Sequence, residues 1–394
     1  MQAELFARRA PMVAKPSFED NCLAPVSEGE LSDLVAESAR SGTQLRVIGG
    51  GTRLKAMSPG SERKAVSTRL ISGIVDYEPG ALTLVARAGT PLHQIETLLE
   101  GEGQILAFEP MDHRHLLETT GTPTVGGVVG ANVCGPRRLF AGACRDHLLG
   151  VRFVDGSGRI VKNGGRVMKN VTGLDLSKLI CGSFGTLGIA TEVSFKTAPA
   201  PEKEETLVFS DVTASEASTL FATALATPFE ISGAAYLQRT ATIRIQGFSQ
   251  QIAYRRERLK ELFSNYSIDV FEGEQSRQHW MDIRDVRHFA ATEHPVWQIL
   301  VRPTDAPDVA SGLERLGGNT SLDWGGGLIW YNGEASAADV RRVCGRGQAR
   351  VVRSTNFGPK SFFPPENEFV SRVSRSLRAT FDPAGILNSD LLDH

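Results

Sequence analysis

No Cys-x-x-Cys pair occurs anywhere in the sequence, and its five cysteines (Cys22, Cys134, Cys144, Cys181 and Cys344) are scattered. That spacing excludes a zinc ribbon and a self-contained iron–sulfur cluster, and it argues against a disulfide scaffold. Unpaired thiols in a reducing compartment are the plain reading. There is no Gly-Lys dipeptide, so a Walker-type phosphoryl-transfer loop is absent. Long apolar runs are missing too. The longest uncharged stretch, Thr119 to Pro136, is rich in Thr and Gly and would not insert into a bilayer as a helix. The opening "MQAELFARRAPMVAKPSFED" has Arg8 and Arg9 without an apolar segment behind them, so no secretory signal is expected. Net charge is −2 and no Lys/Arg block stands out, which disfavours nucleic acid as a partner. A cytoplasmic location is expected, with membrane contact only peripheral, at the inner face and through partners.

What is present is an ordinary globular composition: 394 residues, 41% hydrophobic and 22% charged, enough for two to three domains. Glycine is in mild excess, with 40 residues. Much of that excess lies between residues 42 and 188, which points to a binding site built from backbone.

"SEGELSDLVAESARSG" opens a helix, with Ser27 and Glu30 at capping-box spacing and Leu31, Leu34 and Val35 on the apolar face. "QLRVI" reads as a strand entering the triplet Gly49–Gly51. "ALTLVARAG" alternates as a strand, followed by a helix with Thr90 as N-cap and Pro91 at its first position. Residues 148–162 read as two strands around a Gly-Ser-Gly turn. Composition shifts at "APAPEKEE", residues 198–205, the best domain boundary. Beyond it the order strand, helix, two strands, helix, strand predicts a ferredoxin-like α+β domain. Mixed structure follows, then the helix "PENEFVSRVSRSLRATF" and a tail. No internal repeat or low-complexity tract is visible.

Three glycine-rich segments carry the candidate chemistry. "GGGTRLK" is either a tight turn or a loop whose amides converge on an anion, since residues without a Cβ can aim their N–H groups at one point. Arg53 and Lys55 would add positive potential. It is not a GxGxxG fingerprint, and "CGSFGTLG" misses it as well, so a nicotinamide-type doubly wound site is unsupported. "TGTPTVGGVVGANVCGPRRLFAGACRDHLLG" places Gly126, Gly127, Gly130, Gly135 and Gly142 among small residues, a pattern that admits a large flat ligand. A ligand-free surface loop of that length would be unusual in a compact domain.

In that order, "VIGGGTRLK", "TVGGVVGANVCGPRR…GACRDHLLGVRFVDGSGRIVKNGG" and "MKNVTGLDLSKLICGSFGTLGIATEVSF" resemble the FAD-binding domain of vanillyl-alcohol oxidase-like and p-cresol methylhydroxylase-like (PCMH-type) flavoproteins. The resemblance covers about residues 25–198. The "GPRR", "RDHLLG", "VMKN.TG.DLSKL" and terminal "FDPAGILN" blocks look most like the E-subunit family of bacterial glycolate oxidases. The resemblance implies an α+β chain: a two-subdomain PCMH-type FAD-binding domain at 1–201, an α+β cap at 202–360, and a helix and tail at 361–394 that return to the flavin domain. It implies that Gly49, Gly50, Gly51 and Thr52 hold the FAD pyrophosphate through amides. Thr124, Gly126, Gly127 and Asn132 would line the pyrophosphate and isoalloxazine, Gly185, Gly188 and Ile189 the adenosine half, and Asn388 the flavin side. Many relatives read "NPG" where this chain has Asn388, Ser389 and Asp390. Relatives that tether FAD often use a histidine in the first loop; Thr52 stands there, so non-covalent FAD is implied.

Oxidising a 2-hydroxy acid needs a proton acceptor, a hydride acceptor and a cation for the carboxylate. The histidine-rich motifs that related 2-hydroxy-acid dehydrogenases carry in their second domain do not occur here, and no catalytic base is assigned. His113 and His115 read as an exposed turn rather than a metal site. His294, Trp297, Arg302, Arg244 and Trp330 are second-domain candidates with equally good core or surface readings. The resemblance implies a glycolate oxidase subunit that turns glycolate into glyoxylate, beside a larger flavin subunit and an iron–sulfur subunit. A stand-alone oxidase of another hydroxy acid and a non-catalytic assembly subunit are the competing readings.

Overall fold

The computed structural model describes residues 22–53, 63–165, 173–354 and 363–391; Arg8, Arg9 and Lys55 lie outside these. Ser27 starts the first helix, Glu28–Ser41, by accepting the Glu30 N–H at 3.1 Å, and Gly42 ends it at φ +69°. Leu31 and Val35 of this helix are fully buried against a small sheet. That sheet is parallel, in the order β1 (Cys22–Leu23), β3 (Lys64–Ser67), β2 (Leu45–Ile48). Leu387, from the far end of the chain, bridges Leu45 on the free side of β2.

The next strands are β4 (Ile74–Glu78), β5 (Thr83–Arg87), β6 (Gln104–Ile105), β7 (Leu148–Val154), β8 (Ile160–Gly164), β9 (Ile189–Lys196) and β10 (Ala198–Pro199). Five of them form an antiparallel sheet, β4-β5-β9-β7-β8, and β6 pairs with β10. Their inward residues, Leu84, Val151, Phe153, Val193 and Phe195, meet the helix Leu92–Gly101 in the largest core cluster. Thr90 is not the cap of that helix. Its hydroxyl is fully buried, donates to the Arg87 carbonyl at 2.7 Å and accepts the Gly73 N–H at 3.0 Å, so the turn after β5 claims it first.

From Lys203 to Arg353 the chain builds one eight-stranded antiparallel sheet. Its strands are β11 (Lys203–Phe209), β12 (Ile231–Leu237), β13 (Thr240–Gly247), β14 (Ile268–Glu272), β15 (Val296–Leu300), β16 (Asn319–Asp323), β17 (Leu328–Asn332) and β18 (Gln348–Arg353). The order β14-β11-β13-β12, with helices Ala214–Leu225 and Ser249–Leu262, is the ferredoxin-like arrangement expected from the pattern. The remaining half repeats it: β16-β17-β15-β18 with helices Ala306–Arg315 and Ala337–Cys344 has the same connectivity. The two units meet antiparallel through Tyr236↔Leu322 and Leu237↔Ser321. The repeat is one of connectivity, and no internal sequence repeat accompanies it.

The helices of both units cover one face of the big sheet, in two separate clusters. The other face packs on the flavin-side domain, where Val296, Leu328 and Trp330 join the same cluster as Leu106 and Val125. A buried ion pair fixes this junction: Arg244 donates to both oxygens of Glu109, at 2.9 Å each, with its guanidinium stacked on Trp280. Removing one member of such a pair costs about 3–5 kcal/mol, far more than loss of a solvent-exposed surface pair. The "GPRR" block belongs to this junction. Gly135 accepts the Trp324 indole N–H at 3.0 Å, Arg137 donates to Gln246 at 2.9 Å, and Arg138 stacks on Trp324.

Asp323, at the end of β16 beside this junction, is buried, and that burial pushes its carboxyl up to about 7. Folding therefore favours its protonated form. The stabilisation is complete below the ordinary aspartate range near 4 and is lost as pH rises through about 7. Asp323→Asn keeps an acceptor for the Trp324 N–H and removes the titration. Between pH 5 and pH 8 its melting temperature is expected to fall less than that of the natural chain; equal falls in a thermal-melt series would refute the assignment.

Candidate functional site

Two parallel strands, β2 and β3, end at one edge, and the loop after β2 is Gly49–Gly51. A Cβ on Gly50 would fall 1.6 Å from the Thr122 carbonyl oxygen, and one on Gly121 would fall 1.9 Å from the Gly50 carbonyl oxygen. Only glycine permits two backbones to lie this close. Gly49 meets Thr124 in the same way, at 2.4 Å from its hydroxyl. The first two glycine segments therefore form one wall, which faces a cleft holding about 1350 Å³ of space with its open mouth included.

Every residue assigned to the cofactor from sequence lines this cleft except Asn132. Asn132 sits at φ +47°, and its side-chain oxygen accepts the Arg145 N–H at 3.1 Å, so it shapes the loop behind the wall. Gly135 and Gly142 likewise lie away from the lining. Among the described residues, the amides of Gly49, Gly50, Gly51 and Thr52 donate to no protein group. The opposite segment differs. Val125 donates to Thr90, Gly126 to Ala88 at 2.7 Å, and Gly127 to the Thr124 hydroxyl that caps the short helix Val125–Gly130. The free donors are thus those of the first loop, and residues 124–127 supply contour. Each amide bonded to an anion contributes roughly 1.5–3 kcal/mol, so a few converging ones suffice for a diphosphate.

Gly185 and Gly188 form the third side, Gly185 against Val47 and Gly188 against the Phe153 ring. Ile189 begins β9 and is buried. Asn388 ties these parts together. Its side-chain oxygen accepts the Val47 N–H at 2.9 Å while its nitrogen donates to the Phe184 carbonyl at 2.8 Å. Both polar atoms are engaged, so Asn388 positions the walls.

The structure corrects one reading outright. His113 is no exposed turn: it is buried, lines the cleft and lies 3.3 Å from Arg53 Nε, whereas His115 points to solvent. In "PMDHRH" Pro110, Met111 and His113 are buried and Arg114 and His115 exposed, a pattern with no period that singles out His113 in the sequence. Arg350 of β18 also lines the cleft, beside Val351, Val352 and Phe363. The second-domain candidates go elsewhere. Arg244 holds Glu109, Trp297 and Trp330 are core, His294 pairs with Glu334 at the surface, and Arg302 pairs with Asp305.

A glycine-walled cleft with free loop amides, beside an antiparallel cap sheet, defines an FAD-binding oxidoreductase. Residues 20–164 match the FAD binding domain family. The chain is 33% identical to glycolate oxidase subunit GlcE of Escherichia coli over 327 residues, 82% of this chain and 86% of that one. It therefore belongs to the GlcE family and is an FAD-linked, glycolate oxidase-type subunit. Glycolate oxidase subunit GlcD of Bacillus subtilis is 28% identical over 193 residues, 49% of this chain and 40% of that one. Among solved structures, an alkyldihydroxyacetonephosphate synthase shares the fold, with a TM-score of 0.66 at 17% identity over 93% of this chain and 76% of that one. No helix among the described residues is long and apolar enough to cross a membrane.

Two substitutions separate contour from folding. Gly50→Val drives a side chain into the Thr122 backbone and is expected to lower stability together with FAD content. At Gly130, which lines the cleft, a Cβ meets no protein atom within 4 Å. Gly130→Val is expected to lose at least half of its FAD while its melting temperature without FAD stays within about 2 °C of the natural chain, as for surface changes near ±0.5 kcal/mol. Full FAD content in Gly130→Val, read from absorbance per chain, would remove this surface from the binding site.

Proposed function

We propose that this chain is the FAD-bearing subunit of a glycolate-oxidising complex, converting glycolate to glyoxylate and passing electrons to an iron–sulfur partner, next to a larger flavin subunit. In this reading residues 1–201 bind FAD, residues 202–360 cap it, and residues 361–394 return to close the first wall. The supporting observation is the cleft itself, in which the unengaged amides of Gly49–Thr52 face a lining almost wholly of glycine and small or apolar residues. Bound there, FAD would supply the hydride acceptor. The chain's own residues hold it, exclude water and set its field. Thr52 is buried beneath the loop and offers no tethering nitrogen, in keeping with a dissociable cofactor.

The dependence on partners is supported by what the cleft lacks. No Asp or Glu lines it among the described residues, so a carboxylate base is absent from its walls. Scattered cysteines leave cluster chemistry to another chain. The reading places the protein in the cytoplasm, meeting a membrane only through its partners.

Purified alone, the chain is expected to show flavin absorption that acid or heat releases into solution. Glycolate-dependent dye reduction is expected to be weak alone and to rise at least tenfold on adding the partner subunits. Rapid glycolate turnover by the isolated chain would defeat the dependent-subunit reading. A colourless chain that FAD cannot reconstitute would favour a purely structural role.

A further inference from the structure

One corner of the cleft is lined by cationic side chains and by no carboxylate among the described residues. Arg53 follows the glycine loop, His113 precedes the short helix Arg114–Leu117, and Arg350 stands on β18 of the cap sheet; all three line the cleft. Burial lowers both arginines, to about 10 each, which leaves them charged at neutral pH. Burial, together with those two charges, holds the His113 imidazole well below its ordinary range, so it is neutral.

His113 Nδ1 lies 3.3 Å from both Arg53 Nε, which can only donate, and the Met111 carbonyl oxygen, which can only accept, so the two contacts call for opposite tautomers and the neutral ring exchanges its proton with its surroundings at either nitrogen. Arg53 is held by the Gly127 carbonyl, to which its Nη1 donates. Arg350 is held from two sides. It donates to Gln298, its direct neighbour across β15 and β18, and its guanidinium lies 5.5 Å from the centre of the Phe184 ring. Both forks are thus set in place before any ligand arrives.

We propose that Arg53, His113 and Arg350 form a subsite for the carboxylate of a small acid, such as a 2-hydroxy acid. The proposal rests on the FAD and hydroxy-acid reading of the same cleft. A phosphate of the cofactor is the competing occupant, but the free amides of Gly49–Thr52 already provide for a diphosphate. Arg350 comes from the cap, among Val351, Val352 and Phe363, where apolar surroundings strengthen its hold on a planar, bidentate anion.

The test uses the full chain reconstituted with FAD and titrated with oxalate, a carboxylate that cannot be oxidised by hydride loss, while the flavin spectrum is recorded. The natural chain is expected to show a saturable spectral change. Arg350→Gln is expected to keep one FAD per chain and to raise the oxalate Kd about tenfold or more, the loss expected for one charge-assisted hydrogen bond. Arg350→Lys keeps the charge and should fall between the two; it stands in for the glutamine variant should that chain not fold. An unchanged Kd overturns the proposal, as does a natural chain with bound FAD and no response to oxalate. A folded Arg350→Gln chain that loses its FAD assigns the corner to the cofactor and also overturns it. Failure of the natural chain to take up FAD defeats the underlying cofactor reading instead, and is seen before oxalate is added.

Discussion

The cleft depends on backbone lying against backbone. Gly50 and Gly121 approach so closely that a Cβ on either would overlap the other's strand of chain, and every further part of the wall is placed from that contact. It sets the depth of the loop, leaves the loop amides facing outward, and brings Thr124 over Gly49. Along this wall the donors are peptide groups, and what the sequence must supply there is the absence of side chains.

Such absence can be read from a sequence, and the three glycine segments were legible for that reason. So were most helices and strands, because Ser27, Gly42 and the alternating runs of the cap act over a few residues. The first ferredoxin-like unit followed from element order alone. Its second copy did not, because Val296–Arg353 repeats the connectivity with no internal sequence repeat to mark it. Asn132 and the "GPRR" block fell among cofactor-like residues yet serve the loop and the junction, a distinction made by distant partners such as Gln246 and Trp324. His113 was misjudged for a related reason. Its charged neighbours Asp112 and Arg114 give no sign of burial, which comes from the turn ahead of the short helix setting the ring beside Arg53.

The two domains divide the physical work. The N-terminal domain offers contour, loop amides and Arg53, and the eight-stranded sheet adds Arg350. Arg350 reaches the cleft because β18 is the edge strand of the second unit, while the first unit is tied to the N-terminal domain through Arg244 of β13 and Glu109.

Asn388 adds a condition on the order of assembly. It lies 341 residues from Val47, whose backbone it holds, and Leu387 pairs with Leu45 in the same place. Contacts of such long range form late, after the loop between them has been closed. During synthesis the first glycine wall emerges early and stays unclamped until the cap has been made. The two ends of the chain thus close on each other only once the whole of it has been made.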